Sequence, residues 1–213
     1  MNIKPLALIF TITFLLPFSS PAKVVADSFQ DGLDAFNKKD FKTAHQIFFK
    51  LAQQGDVEAQ INLGMMYGKG RGVPQDDEKA TEWWRLAAEQ GDGKAQTNLG
   101  WMYEKGRGVT QDNKKAAKWY MLAADQGLAH AQYNLGVMYY GGYGVPRDDK
   151  ESVKWYQLAA EQGYANAQTN LGMMYRSGYG VQRDYKKAVK LHRLAVEQGN
   201  ALASFRLGVL YYH

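Results

Sequence analysis

Hydrophobic positions along the chain fall on a helical period, stop, and then start again. Ala59, Leu63, Met66 and Tyr67 stand at i, i+4, i+7 and i+8, the spacing of one buried helical stripe. Ala80, Trp83, Trp84, Ala87 and Ala88 give a second stripe at i, i+3, i+4, i+7 and i+8. No stretch alternates with period two for long enough to predict a strand. The pair of stripes recurs every 36 residues. Gly55, Gly91, Gly127, Gly163 and Gly199 keep that step, as do Ala59, Ala95, Ala131, Ala167 and Ala203. So do Tyr67, Tyr103, Tyr139, Tyr175 and Tyr211, and the Leu-Gly pairs that begin at Leu63, Leu99, Leu135, Leu171 and Leu207. A period of this length predicts helical hairpins stacked in series, because one hairpin cannot bury its own apolar face.

Polar residues and glycines punctuate the pattern. Asp76, Asp112, Asp148 and Asp184 precede each second stripe, where a carboxylate can accept from the free N–H groups of a helix start. Gly91 follows the second stripe, at a place suited to a left-handed cap. A Gly-x-Gly-Val loop joins the two helices, at Gly70 to Val73 and again from Gly106, Gly142 and Gly178. Gly64 and its equivalents lie inside the first helix, where glycine costs about 1 kcal/mol against alanine. The benefit that offsets this cost is expected to be close approach of the partner helix. Residues 27–54 read as a shortened first unit with a loop four residues shorter, and 200–213 as a first-type helix with no second. The fold class is therefore all-α, an αα-hairpin solenoid of about five 36-residue repeats, forming one domain over 27–213.

The first 26 residues read differently. Lys4 precedes an apolar run from Leu6 to Leu16; Pro17 and Pro21 follow, then small residues suited to cleavage after Ala22 or Ala26. This is the order of a secretory signal peptide, and the run is too short to span a bilayer. Export is expected, to a bacterial periplasm, cell surface or exterior. No membrane span is expected in the remainder.

The formal charge is +5, of which Lys4 and Lys23 belong to the leader. Basic and acidic residues are interspersed, so nucleic acid is not an expected partner. The chain has no cysteine. Disulfides, thiolate zinc sites and thiol nucleophiles are thereby excluded, as is the lipid-bearing cysteine of a lipoprotein. His45, His130 and His192 fall at unrelated positions of the repeat and form no metal-binding motif. Ser-x-x-Lys occurs once, from Ser20 to Lys23, inside the leader. Neither an enzyme nor a cofactor is expected.

The unit Ala-Gln-x-Asn-Leu-Gly-x-Met-Tyr, then Gly-x-Gly-Val-x-x-Asp, Lys-Ala-x-x-Trp and Leu-Ala-Ala-x-Gln-Gly resembles the Sel-one-like repeat, a 36-residue relative of the tetratricopeptide repeat. The resemblance covers 55–199 and implies a right-handed superhelix whose first helices line a concave face. It also implies a protein-interaction scaffold that binds a peptide or protein segment; exported bacterial members are linked to envelope function or host-cell contact (virulence). A cysteine-rich branch of the family is associated with β-lactam binding or hydrolysis, which is the alternative reading. The absence of cysteine sets this chain apart from that branch.

In the related tetratricopeptide fold, the ligand faces a stripe of the first helix. Along that stripe the frame residues repeat while others vary, and the variable ones include Trp101, Tyr133, Tyr140 and Arg176, residue types that dominate interface energetics. Trp101 and Met65 can equally pack against the adjacent repeat. Asn62, Asn98, Asn134 and Asn170 form a ladder, with Arg206 in the fifth place. Their amides can clasp an extended peptide backbone or bond within their own hairpins. The tandem aromatics Trp83-Trp84, Trp119-Tyr120 and Trp155-Tyr156 are expected to pack. The unpaired helix from Leu207 to Tyr212 offers a route to self-association.

Overall fold

The computed structural model describes residues 28–211; the expected leader and Tyr212 lie outside the described residues. Among the described residues there are eleven helices and no strand. The shortened first unit is α1 (Phe29–Asn37) and α2 (Phe41–Gln53). Four full hairpins follow: α3 (Val57–Lys69) with α4 (Asp77–Glu89), α5 (Gly93–Lys105) with α6 (Asn113–Asp125), α7 (Ala129–Gly141) with α8 (Asp149–Glu161), and α9 (Ala165–Ser177) with α10 (Tyr185–Glu197). Helix α11 (Ala201–Tyr211) ends the array. Each helix packs on the one before and the one after it, the contact pattern of an αα-hairpin solenoid.

The expected caps form. Asp76, Asp112 and Asp184 accept from the backbone N–H three residues on, at 3.0, 3.0 and 2.9 Å, and Asp148 accepts from Lys150 and Glu151. The first helices begin slightly earlier than the stripe suggested, because Asp56 and Asp92 cap α3 and α5 in the same way. Gly70, Gly106, Gly142 and Gly178 close the first helices in the left-handed conformation, with φ between 63° and 75°.

The helical glycines are sites of close approach, and each meets one named ring. A Cβ on Gly100 would lie 2.8 Å from Tyr120, one on Gly136 2.6 Å from Tyr156, and one on Gly172 2.8 Å from His192; Gly64 faces Trp84 in the same way. In the shortened unit Gly32 meets Phe48, at 2.5 Å. Gly208 of α11 has nothing within 4 Å, since no second helix follows it among the described residues.

The second glycine of each loop does something the sequence did not disclose. Its Cα lies against backbone of the preceding unit: Gly72 on Phe41, Gly108 on Asp77, Gly144 on Asn113 and Gly180 on Asp149. Each loop thus rests on the first turn of the previous second helix. At one of these seams Arg107 adds a bidentate pair to Asp77, two bonds of 2.8 Å, and its carbonyl accepts from the Thr81 hydroxyl.

A buried amide ladder runs along the other seam. Gln60, Gln96, Gln132 and Gln168 are 3–4% exposed. Each donates to the carbonyl eight residues back (Ala52, Ala88, Ala124, Ala160; 3.2–3.3 Å), at the end of the previous second helix. Each accepts from the amide thirty residues on (Gln90, Gln126, Gln162, Gln198; 2.8–2.9 Å), which caps its own hairpin. One side chain therefore ties three helices, and all its polar atoms are used. Gln132→Leu is expected to cost about 1 kcal/mol, because it removes a buried bond to the Ala124 carbonyl, while the exposed Gln162 amide keeps the Gly127 carbonyl; thermal denaturation followed by circular dichroism measures it.

Candidate partner-binding face

The face to be tested is made by α3, α5, α7, α9 and α11, the first helices of the units. Of the side chains that vary between units, Trp101, Glu104, Tyr133, Tyr140 and Arg176 lie there half-buried, Glu58, Lys94, His130 and Asn166 are exposed and Thr97 and Thr169 buried; the Ala, Leu, Gly and Met of the frame are fully buried in α3, α5, α7 and α9. Tyr133, on α7, stacks its ring near Tyr164 and Tyr156, with centroids 5.1 and 5.9 Å away. It lines a cleft of about 540 Å³ together with Asn134, Val137, Glu104 and Lys105. Tyr140, about two turns further along α7, lies under the Arg147 guanidinium (5.5 Å) and near Tyr179 (6.4 Å).

Trp101 is placed otherwise. It packs against the cluster of Ala80, Trp84 and Met102 on one side and that of Ala116, Tyr120 and Leu135 on the other, with the Arg107 guanidinium 5.2 Å over its ring. Since Arg107 is also the partner of Asp77, Trp101 is part of the seam between units as well as of the face. Arg176 stands at the far end, lining a separate cleft of about 420 Å³ with Tyr185, Val189, Val209 and Leu210.

The asparagine ladder is not uniform. Asn62 donates to the Glu58 carbonyl one turn back (2.8 Å), and Asn170 to the Tyr156 hydroxyl (3.3 Å). Asn98 and Asn134 make no hydrogen bond to another described residue. The structure thus gathers Tyr133, Asn134 and, through Tyr156, Asn170 into one region; Asn62 and Arg176 lie outside it.

The polar tips around that region are tuned by burial. The Tyr120 hydroxyl donates to Glu104 at 2.8 Å, and burial, then the Glu104 charge, push Tyr120 far up. Burial likewise raises Tyr133 and lowers His130, which faces Tyr164 at 5.8 Å. These groups are uncharged at neutral pH, so Glu104 and its neighbour Lys105 are the charged pair at this end of the face. No group of side chains able to hold a metal ion occurs among the described residues.

A family model described as the Sel1 repeat matches four consecutive segments, 57–92, 93–128, 129–164 and 165–200. The chain belongs to the Sel1 repeat family. Among solved structures it is similar to c5321, a protective antigen of uropathogenic Escherichia coli with this fold: identity is 40%, the TM-score 0.82, and the match covers 85% of this chain and 40% of that one. It is also similar to a Sel1 repeat protein of Oxalobacter formigenes, with 35% identity, a TM-score of 0.80, and coverage of 86% and 76%. The chain therefore spans about two fifths of the length of the first relative. Among curated proteins none matches the sequence.

Sel1 repeats typically mediate protein interactions, and their proteins are generally scaffolds without catalysis. No helix among the described residues is long and apolar enough to cross a membrane. Two Sel1 features of this face escaped the sequence reading. Glu104 belonged to the variable stripe yet was not singled out, and its bond to Tyr120 gives it an anchor. His192 occupies the place held by Trp84, Tyr120 and Tyr156 in the other units; it is fully buried, with both ring nitrogens unpartnered. The signal for both was the step of twenty residues, constant over the four full hairpins, from the glycine of the first helix to the ring it meets.

Proposed function

We propose that this chain is an exported scaffold that holds a peptide or protein segment along its first-helix face, at the bacterial envelope or in contact with a host cell. The observation that carries the reading is the contrast on that face: a frame in which Ala59, Leu63, Gly64 and Met66 recur fully buried unit by unit, beside half-buried side chains that change between units (Met65, Trp101, Val137; Glu104, Tyr140, Arg176), several of them aromatic. Curvature of a hairpin array gives such a face the extended concave form that suits a segment of chain. The apolar leader expected over 1–26 supports export. The similarity to a protective antigen of a pathogen supports a place where host molecules meet the protein.

Tyr133→Ala with Tyr140→Ala is the decisive variant, because both rings lie half-buried at the face; since both also pack against the Tyr156 and Leu171 cluster, binding is compared well below the variant's melting temperature. Recovery of partners from the native cell after crosslinking is expected to drop at least tenfold, in line with the loss of two interface anchors. Equal recovery by the variant, folded by circular dichroism at the temperature of the experiment, overturns the reading.

A further inference from the structure

Positive charge is distributed unevenly between the two parts of the described chain. Residues 28–164 carry 17 basic and 18 acidic side chains, whereas 165–211 carry seven and two. Lys186, Lys187 and Lys190 of that last stretch are exposed on α10, where water solvates them. Arg176 of α9 and Arg206 of α11 differ. Both are half-buried on first helices, and neither has an ion-pair or hydrogen-bond partner among the described residues.

Register explains how they come together. Arg206 stands one period after Asn170, which bonds the Tyr156 hydroxyl. One period after Tyr156 comes His192, so an arginine and an imidazole replace an amide and a phenol. His192 is driven down by burial first, then by Arg206 and Arg176. Arg206 is itself pushed down by burial and by Arg176, with the Tyr140 hydroxyl acting the other way. The residue equivalent to Arg176 two units earlier, Glu104, bonds the ring equivalent to His192, Tyr120, at 2.8 Å, so register sets Arg176 and Arg206 beside one ring, and among the described residues no anion pairs with either to offset its desolvation.

We propose that Arg176 and Arg206 form a carboxylate-binding subsite for an acidic segment of the partner. This rests on the reading of the first-helix face as the binding surface, and it assigns the chemistry of one end of it. Two planar guanidinium forks match a carboxylate in bidentate fashion. Val189, Val209 and Leu210 in the cleft beside Arg176 give the apolar parts of such a segment a wall. A nucleic acid would need a continuing track of cations for its phosphates. Instead Tyr140 and then Glu104 occupy the positions equivalent to Arg176 in the two preceding units, so the face runs from cationic to anionic over two periods.

Fluorescence anisotropy with fluorescein-labelled hexaglutamate on the purified protein tests this, with labelled hexaglutamine as the neutral probe. Hexaglutamate is expected to bind at least tenfold more tightly than hexaglutamine, and Arg176→Gln with Arg206→Gln to abolish that preference. The double variant is expected to melt no lower than the parent, because it relieves a repulsion. Lys186→Gln with Lys190→Gln is expected to change binding less than threefold. Absence of hexaglutamate binding, equal binding by the arginine variant, or an equal loss in the lysine variant overturns the subsite. So does tighter binding of a single-stranded oligonucleotide through the same arginines. The arginine variant reads only this inference and the tyrosine variant only the face, so the two failures are told apart.

Discussion

His192→Phe is expected to stabilise the protein at neutral pH and to remove much of its acid sensitivity between pH 6.5 and 4. His192 is fully buried against Gly172, and neither ring nitrogen has a partner. Leaving such groups dry costs on the order of 1–3 kcal/mol, which a phenyl ring of similar shape avoids. The fit has a precedent within the chain, since Phe48 fills the same place against Gly32. The acid effect follows from linkage. Burial, then Arg206 and Arg176, hold His192 down at about 4, against 6.5 for an exposed histidine. Below pH 6.5 the unfolded chain takes up a proton that the folded chain refuses, so stability falls with pH until the folded form also protonates near 4. The loss amounts to about 3 kcal/mol. Capping carboxylates such as Asp40, lowered by the Thr43 hydroxyl and then its N–H, and Asp76, lowered by the Lys79 N–H and then its ammonium, add their own acid sensitivity at lower pH. They are common to parent and variant and cancel in the comparison. Melting temperatures of both proteins at pH 7 and pH 4.5 measure the effect; parallel slopes would show that His192 is not held neutral.

Gly144→Ala is expected to cost about 3 kcal/mol or more and to divide one unfolding transition into two. The glycine has φ 71°, where an alanine is disfavoured by about 1–2 kcal/mol. Its new methyl would also fall on the Asn113 carbonyl, which is helix backbone and cannot rotate aside as a side chain can. The loop must therefore lift from the start of α6, and the seam between the second and third full hairpins opens. In a linear array, stability is a sum of unit terms and neighbour terms. Loss of one neighbour term leaves the part before α7 and the part from α7 onward to unfold separately. Urea denaturation followed by circular dichroism should show a smaller slope or two steps. A single transition at the parent midpoint would mean that the loop bears no part of the coupling.

Much of the frame was legible in the sequence because its causes are local or recur at a fixed step. Stripes of Ala, Leu, Met and Tyr set the helices, Asp76 and its equivalents set their starts, and Gly64 announced a near neighbour. What escaped was the identity of partners across a seam. Gln60 recurs as plainly as Ala59, but recurrence alone does not say that its amide reaches Ala52 and Gln90. Gly72 was legible as a turn residue, yet its contact with Phe41 depends on how one hairpin lies on the next. The face was legible as a set of variable positions and less so as a site. Trp101 has the side chain of an anchor, but the guanidinium that covers it arrives from a loop six residues later. His192 and Arg206 became informative only when set against Tyr156 and Asn170, one period earlier.

The amide ladder and the loop glycines join each hairpin to its neighbour through the same atoms at every step, from Ala52 to Gln198. A hairpin can therefore be duplicated or excised with both new junctions already furnished, and nothing else in the array has to adapt. Copy number becomes a heritable dial: reach along a partner can lengthen or shorten in increments of one hairpin while the rules of assembly stay fixed.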